Sequence, residues 1–285
     1  MRQPRKTAST MLQFVEWTEQ IADLFSPGGQ AEIAWFRGAN SDKHKLIPSL
    51  YRSQAGRDDE DSDDELRGEF KRRGLPLVAE RPPRDDWEWY FLMQHYGAPT
   101  RLLDWTDSAL VALYFAISSF RLSNEETSSM KPAVWALNPW FLNRKVDKEL
   151  RKAKEKPLPF DGPLTPGVIV DRSRARYLEQ YLGPIYKGRK PPQYPISLDP
   201  TFIAQRMLVQ HSHFTLHGSD SRGIDEMVEE LGLSDGLFRV VIKTDAEGIR
   251  LMRWRLATLG ISETTIFPDL QGLGRELNLE YGITW

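Results

Sequence analysis

Between Asp107-Ser108 and Ser118 the chain carries nine consecutive uncharged residues, Ala109 to Ile117. A helix this apolar on every side has no polar face to show to water, so it does not belong on a surface. It is also only half of the roughly 18–20 residues a membrane span requires. The run is therefore read as a central helix opened by Asp107-Ser108, and a helix buried all round needs packed layers on every side of it. A chain of 285 residues can supply them as one large domain or two small ones. Nine Trp, nine Tyr and 13 Phe, with 40% hydrophobic and 27% charged residues, exclude a disordered, collagen-like or low-complexity chain.

The remaining pattern is mixed. Leu12, Val15, Ile21 and Leu24 recur near a 3.6-residue period and predict an amphipathic helix from Leu12 to Phe25, ended by Ser26-Pro27-Gly28-Gly29. Ile33 to Gly38 reads as a buried strand. A polar region from Ser41 to Arg84 follows. In it seven of the eight residues 58–65 are acidic, which reads as a solvated, mobile loop. Asp85 or Asp86 caps a helix bearing Trp87, Tyr90, Phe91 and Gln94, which Gly97 and Pro99 end. Gln94 to Thr106 then forms a polar, aromatic turn leading to the central helix. Ala133–Leu137, Phe214–Leu216 and Phe238–Ile242 are strand candidates. A helix is expected over Ala246–Leu259, a short strand over Thr265–Phe267, and a closing helix from Asp269 to about Leu279.

Between Arg144 and Lys190, 13 Lys and Arg face six Asp and Glu, and Pro and Gly interrupt the chain from Lys156 to Pro195. This predicts a poorly regular lid or subdomain. The chain divides into an N-terminal helix (1–29), a first core part (30–143), a basic insertion (144–196) and a second core part (197–285). Strands and helices in irregular order argue an α+β class, a mixed sheet with packed helices.

There is no Cys, which excludes disulfides, thiol nucleophiles and Cys-ligated zinc and fits a reducing cytoplasm. No apolar run follows the basic start Met1-Arg2-Gln3-Pro4-Arg5-Lys6, so no secretory signal is expected, and no membrane span is expected either. No phosphate-binding Gly-rich loop with its Lys and no Gly-x-Ser-x-Gly elbow occurs. His211, His213 and His217 would share a strand face, but about 20 Å separates the outer two at ~3.3 Å per residue, too far for one ion. No metal is expected.

The candidate site rests on three segments. Arg37 closes an apolar strand, and Gly38 lets a ligand or another chain segment approach, an arrangement suited to clamping an anion. An equally open alternative pairs Arg37 with Asp104. His95, Tyr96, Arg101 and Asp104 crowd one Gly- and Pro-bounded turn, where binding groups tend to sit on a rigid scaffold. Thr106 and Asp107 are read instead as caps of the next helix. Thr215 and His217 are placed on a strand facing the cleft.

Trp35-Phe36-Arg37-Gly38, then Gln94-His95-Tyr96-Gly97-Ala98-Pro99-Thr100-Arg101-Leu102-Leu103-Asp104-Trp105-Thr106 running into Ala109 and Ala112–Ala116, then Ala204-Gln205, Phe214–Gly218, Gly260-Ile261 and Ile266–Leu270, resemble the FRG domain family. The likeness covers roughly residues 30–140 and 200–275. It implies a fold, a site location and a setting among mobile-element and phage-defence or toxin-type proteins, without a settled reaction. The layout is also similar to that of ADP-ribosyltransferases, in which an Arg or His on the first strand holds NAD, aromatic rings stack the nicotinamide and a Glu stabilises the ribosyl cation. That likeness implies NAD as substrate. It makes Arg37, Asp104 and Glu263 the catalytic candidates, and Gly38, His95, Tyr96, Arg101, Thr215 and His217 the dinucleotide-binding ones. Glu263 departs from the pattern, with Ile261 where an acidic or Gln partner belongs; Asp104 is the substitute. Two further classes stay open. One is a nucleic-acid binder using Arg172, Arg174 and Arg176 with Tyr177, Tyr181 and Tyr186 for stacking. The other is a module that senses a nucleotide-like small molecule without turnover.

Overall fold

The computed structural model describes residues 5–26, 32–52, 59–78, 82–118, 131–166, 172–182 and 191–282. Among them seven strands form one open sheet: β1 (Arg5–Ala8), β2 (Trp35–Ala39), β3 (Leu102–Thr106), β4 (Ala133–Leu137), β5 (Ile196–Leu198), β6 (Ser212–Leu216) and β7 (Leu237–Ile242). Their spatial order is β1-β7-β4-β2-β3-β6-β5. Only the β1–β7 pair is parallel. The class is α+β, as expected.

Side-chain alternation sorts the sheet into two cores. On one face Phe36, Val134, Ala136, Phe238 and Val240 meet helices α1 (Met11–Phe25), α5 (Ala109–Ser118) and α10 (Ala246–Thr258). On the other, Trp35, Trp135, Leu137 and Leu237 join a core with α4 (Asp86–His95), α6 (Pro139–Lys152) and α7 (Arg172–Leu182). The continuous apolar run of β4 is thus explained by burial on both faces. Helix α5 is the central helix that its composition demands. Its Ala112, Leu113, Ala116 and Ile117 are fully buried. Among the described residues no helix is long and apolar enough to cross a membrane.

The fold departs from expectation at several places, each for a local reason. Strand β1 carries no apolar signal because it is an edge strand held by main-chain pairing, Thr7 opposite Val241, with Ala8 alone buried. Helix α1 buries Met11, Phe14, Thr18, Ile21 and Phe25, leaving Leu12 and Leu24 66% and 63% exposed. Ile21 thus faces inward as expected, while Met11 and Phe25 take the inward places expected of Leu12 and Leu24.

The acidic block is not a loop over its described residues. Residues 59–65 form the first half of α3 (Asp59–Gly74), whose Asp63 and Arg67 are buried, and Asp58 lies outside the described residues. The expected turn 94–106 is only a short connection from 96 to 101, after which β3 begins. Gly97 takes a left-handed φ of 75° there, which lets the chain reverse off α4. The strand expected at Thr265–Phe267 is instead α11 (Glu263–Ile266), because Ser262 N–H donates to Thr265 Oγ1 at 2.7 Å and caps a helical turn. The closing helix is α12 (Leu270–Glu280), capped by Asp269.

The segment placed in a basic insertion contributes regular structure. Helix α6 buries Leu142, Val146 and Leu150, and β5 adds an edge strand. Tyr177 and Tyr181, expected as stacking groups, are buried in the core, and the Arg174 guanidinium lies 4.0 Å over the Phe160 ring. Tyr186 and the side chains of Arg172 and Arg176 lie outside the described residues.

Candidate functional site

The sheet comes apart at its centre. Strand β2 pairs with β4 through five residues and β3 pairs with β6 through five, yet β2 and β3 meet at one pair, Phe36 and Thr106. An unbroken antiparallel ladder would set Gly38 opposite Asp104. Instead the Asp104 carbonyl accepts the Arg37 guanidinium, Nη1 donating at 2.7 Å. A cavity of about 640 Å³ lies over this seam. Its walls include Phe36, Phe91, Trp105, Trp135 and Phe214, with Met207 and Gln210 at α8 (Gln205–Val209) and its C-terminal end. That volume is within the usual range of small-molecule sites.

Arg37 lines the cavity with 21% of its side chain exposed. Burial and the neighbouring Arg52 push its pKa down, and Asp104 opposes them; as an Arg it stays charged. Arg52 and Arg206 also line the cavity. Arg206 lies 4.0 Å over the Phe267 ring, and its pKa is lowered by burial with Arg275 adding to the effect. Lys45 is committed to Glu226 at 2.6 Å. Against these cations, Asp104 is the one carboxylate among the described lining residues. Its side chain is 54% exposed, and its Oδ2 accepts Gln94 Nε2 at 2.8 Å and faces Arg37 Nη1 at 3.6 Å. His95 also lines the wall, half-buried, its pKa lowered by burial and then by Arg206, so the imidazole is neutral near pH 7.

The fold brings Arg37, Gly38, His95 and Asp104 together at this cavity and places the other candidates elsewhere. Gly38 answers to a helix rather than to a ligand. A Cβ there would lie 2.1 Å from Ala112 O and 2.6 Å from Ala116 N, so the missing side chain admits α5. Tyr96 points outward, 70% exposed, edge-on to His95.

Arg101 is sealed inside. Its Nε meets Asp63 at 2.9 Å, Nη1 donates to His217 O at 2.9 Å, and Nη2 donates to Tyr181 O. Thr215 and His217 are also fully buried. Thr215 Oγ1 accepts Trp105 Nε1 at 3.0 Å. The cavity lies on the other face of β6, toward Ser212 and Phe214. Glu263 does not line it; it bonds the Tyr114 hydroxyl and Arg275. Its place at the start of α11, rather than before a strand, accounts for that.

Sequence reading missed Gln94, Arg52, Arg206 and Gln210 as lining groups. Gln94 sits within the recognised motif, and its polar amide directly after the apolar run Trp89–Met93 was the available signal. The arginines carry no local signal, because Arg52, at the end of the short helix Ser49–Arg52, and Arg206, on α8, reach the seam only through the tertiary fold.

A family model for the FRG domain matches residues 32–125, so an FRG domain is present there. The matched stretch holds both seam strands and α4 and α5, while Arg206, Met207 and Gln210 come from beyond it. No curated protein and no solved structure matches the chain.

Proposed function

We propose that this FRG-domain chain binds an NAD-type dinucleotide in the seam cavity and cleaves its bond between ribose C1′ and nicotinamide. One observation supports the reading above the others: Arg37, Arg52 and Arg206 converge with aromatic walls on a cavity in which Asp104 is the one carboxylate among the described lining residues. Guanidinium groups match the pyrophosphate, and flat rings match the bases. When the C1′–N bond breaks, its electron pair leaves with nicotinamide and positive charge builds on the ribose. A carboxylate held in place stabilises that charge without reorganising. Water or an acceptor hydroxyl then attacks C1′, and the neutral imidazole of His95 takes the proton that the nucleophile releases.

The test is nicotinamide release from NAD by purified protein, followed by proton NMR, with binding measured by calorimetry. Asp104→Asn is expected to lower turnover by about 10²–10³, the scale of losing one preorganised electrostatic group, while NAD still binds. Arg206→Ala is expected to weaken binding about tenfold or more, as loss of a charge-assisted contact does. NAD binding with no nicotinamide release by the wild type would replace catalysis with sensing, and absence of binding would overturn the reading.

A further inference from the structure

We infer that Thr100 and Gln94 are positioning residues that fix the orientation in which the Asp104 carboxylate meets the ligand; the inference rests on the reading of Asp104 as the ligand-facing carboxylate. Thr100 is fully buried and clamped at both main-chain groups. Its N–H donates to Ser49 Oγ at 3.2 Å, and its carbonyl accepts Leu50 N–H at 3.1 Å. Its hydroxyl accepts Leu102 N–H at 3.1 Å. The single hydroxyl proton is thereby left for another acceptor, and it goes to Gln94 Oε1.

With its carbonyl oxygen engaged, the Gln94 amide turns its Nε2 toward β3 and donates to Asp104 Oδ2 at 2.8 Å. The reverse orientation would set the amide oxygen against a carboxylate oxygen, so the Asp104 end selects the amide orientation, and the Thr100 hydroxyl, which can donate or accept, donates to the carbonyl oxygen that this turns toward it. Arg37 Nη1 approaches the same oxygen, Oδ2, at 3.6 Å. Oδ1 has no bonded partner among the described residues and is the oxygen offered to the cavity. A relay that begins at a buried main-chain N–H thus ends by orienting an exposed side chain. Thr100 does not line the cavity, so it acts only through Gln94.

The experiment uses the full chain in four forms: wild type, Gln94→Leu, Thr100→Val and Thr100→Ser. The Gln94 side-chain NH₂ signal, identified by its loss in Gln94→Leu, reports the relay without reference to activity. In the wild type it is expected to be dispersed and protected from solvent exchange. In Thr100→Val it should move toward the free-amide position and exchange about tenfold faster, and Thr100→Ser should restore it. With NAD as substrate, Thr100→Val and Gln94→Leu are expected to lower kcat by about tenfold to a hundredfold, the worth of one hydrogen bond to a charged group, with KM within about threefold. Thr100→Ser is expected to recover most of the loss. A protected, unshifted amide in Thr100→Val, or a Thr100→Ser variant no better than Thr100→Val, would overturn the relay. A wild type that consumes no NAD yet shows the amide pattern would overturn the proposed function and leave the relay standing.

Discussion

Arg101 separates a structural arginine from a ligand-binding one, and Arg101→Met is the perturbation that decides between them. In the wild type burial lowers the Arg101 pKa, yet Asp63 beside it holds the group above its ordinary range. The Tyr90 hydroxyl donates to Asp63 at 2.8 Å, and burial with Asp63 keeps that phenol protonated well above its usual pKa. Removing the guanidinium strands the Asp63 carboxylate, which has no solvent contact, on one phenol bond among the described residues. Breaking one side of such a pair costs about 3–5 kcal/mol, a large share of the ~5–15 kcal/mol that holds a typical domain together. At about 2–4 °C per kcal/mol for a chain of this size class, Tm should fall by roughly 6–20 °C. Urea unfolding followed by Trp fluorescence measures the loss. Asp63→Asn alone should also destabilise, and the double variant should lose less than the two singles combined by at least about 1 kcal/mol. Arg101→Lys should not rescue, because an ammonium cannot span Asp63 and two carbonyls in the geometry of the guanidinium fork. An Arg101→Met protein within about 1 kcal/mol of wild type that nonetheless fails to bind NAD would refute the reasoning and return Arg101 to the site.

Two further outcomes follow from packing and burial. Gly38→Ala should destabilise by about 3 kcal/mol or more, since the new methyl meets helix backbone rather than a flexible side chain; a urea midpoint matching wild type would refute the close approach of α5. Burial, with Arg101 adding to it, lowers the His217 pKa from 6.5 to about 3. The unfolded chain therefore binds a proton below pH 6.5 that the folded chain refuses. Stability is full above that pH and is lost as pH falls toward 3, at about 1.4 kcal/mol per pH unit. His217→Met should flatten the dependence between pH 7 and pH 5 by about 2 kcal/mol in urea unfolding, and an unchanged dependence would show that His217 is not buried neutral.

What could be read from the sequence was what local chemistry decides alone. The apolar run of α5, the buried run of β4 and the Asp85 cap of α4 each carry their own signal, and each took the expected form. Misreadings fell where a distant partner overrides local chemistry. Asp63 looks solvated among six other acidic residues until α3 turns it onto Arg101. Thr215 and His217 looked like a polar strand face because the layer that covers it comes from elsewhere in the chain. At the site, Arg37 and Asp104 were paired from sequence as alternatives and meet across the seam. Glu263 is the exception, since a local cap at Ser262 turns its stretch into a helix.

The tripeptide Phe36-Arg37-Gly38 shows why one short motif can serve both fold and cavity. Phe36 makes the sole β2–β3 register pair, with Thr106, and packs into the α5 core. Gly38 pairs with Val134 and lets α5 press onto β2, so β2 is fastened outward, away from β3. Strand β3 is fastened outward in turn by β6. The polar main chain of β3 then faces the seam and needs donors, because an unpaired buried carbonyl is costly. Arg37 supplies one at Asp104 O and so pins its guanidinium in the opening, where its other N–H groups have no partner among the described residues. The cavity's central cation is therefore also a staple between two halves of the sheet. Arg37→Ala would remove ligand contact and sheet closure together, and a loss of binding in it would diagnose neither. Asp104 holds the staple through its carbonyl at 2.7 Å, while its half-exposed carboxylate lies farther from Arg37 Nη1, at 3.6 Å, so Asp104→Asn leaves the carbonyl bond in place while changing the charge in the seam. Asp104, more than the arginine that draws the eye in the sequence, is the residue on which the proposed chemistry stands or falls.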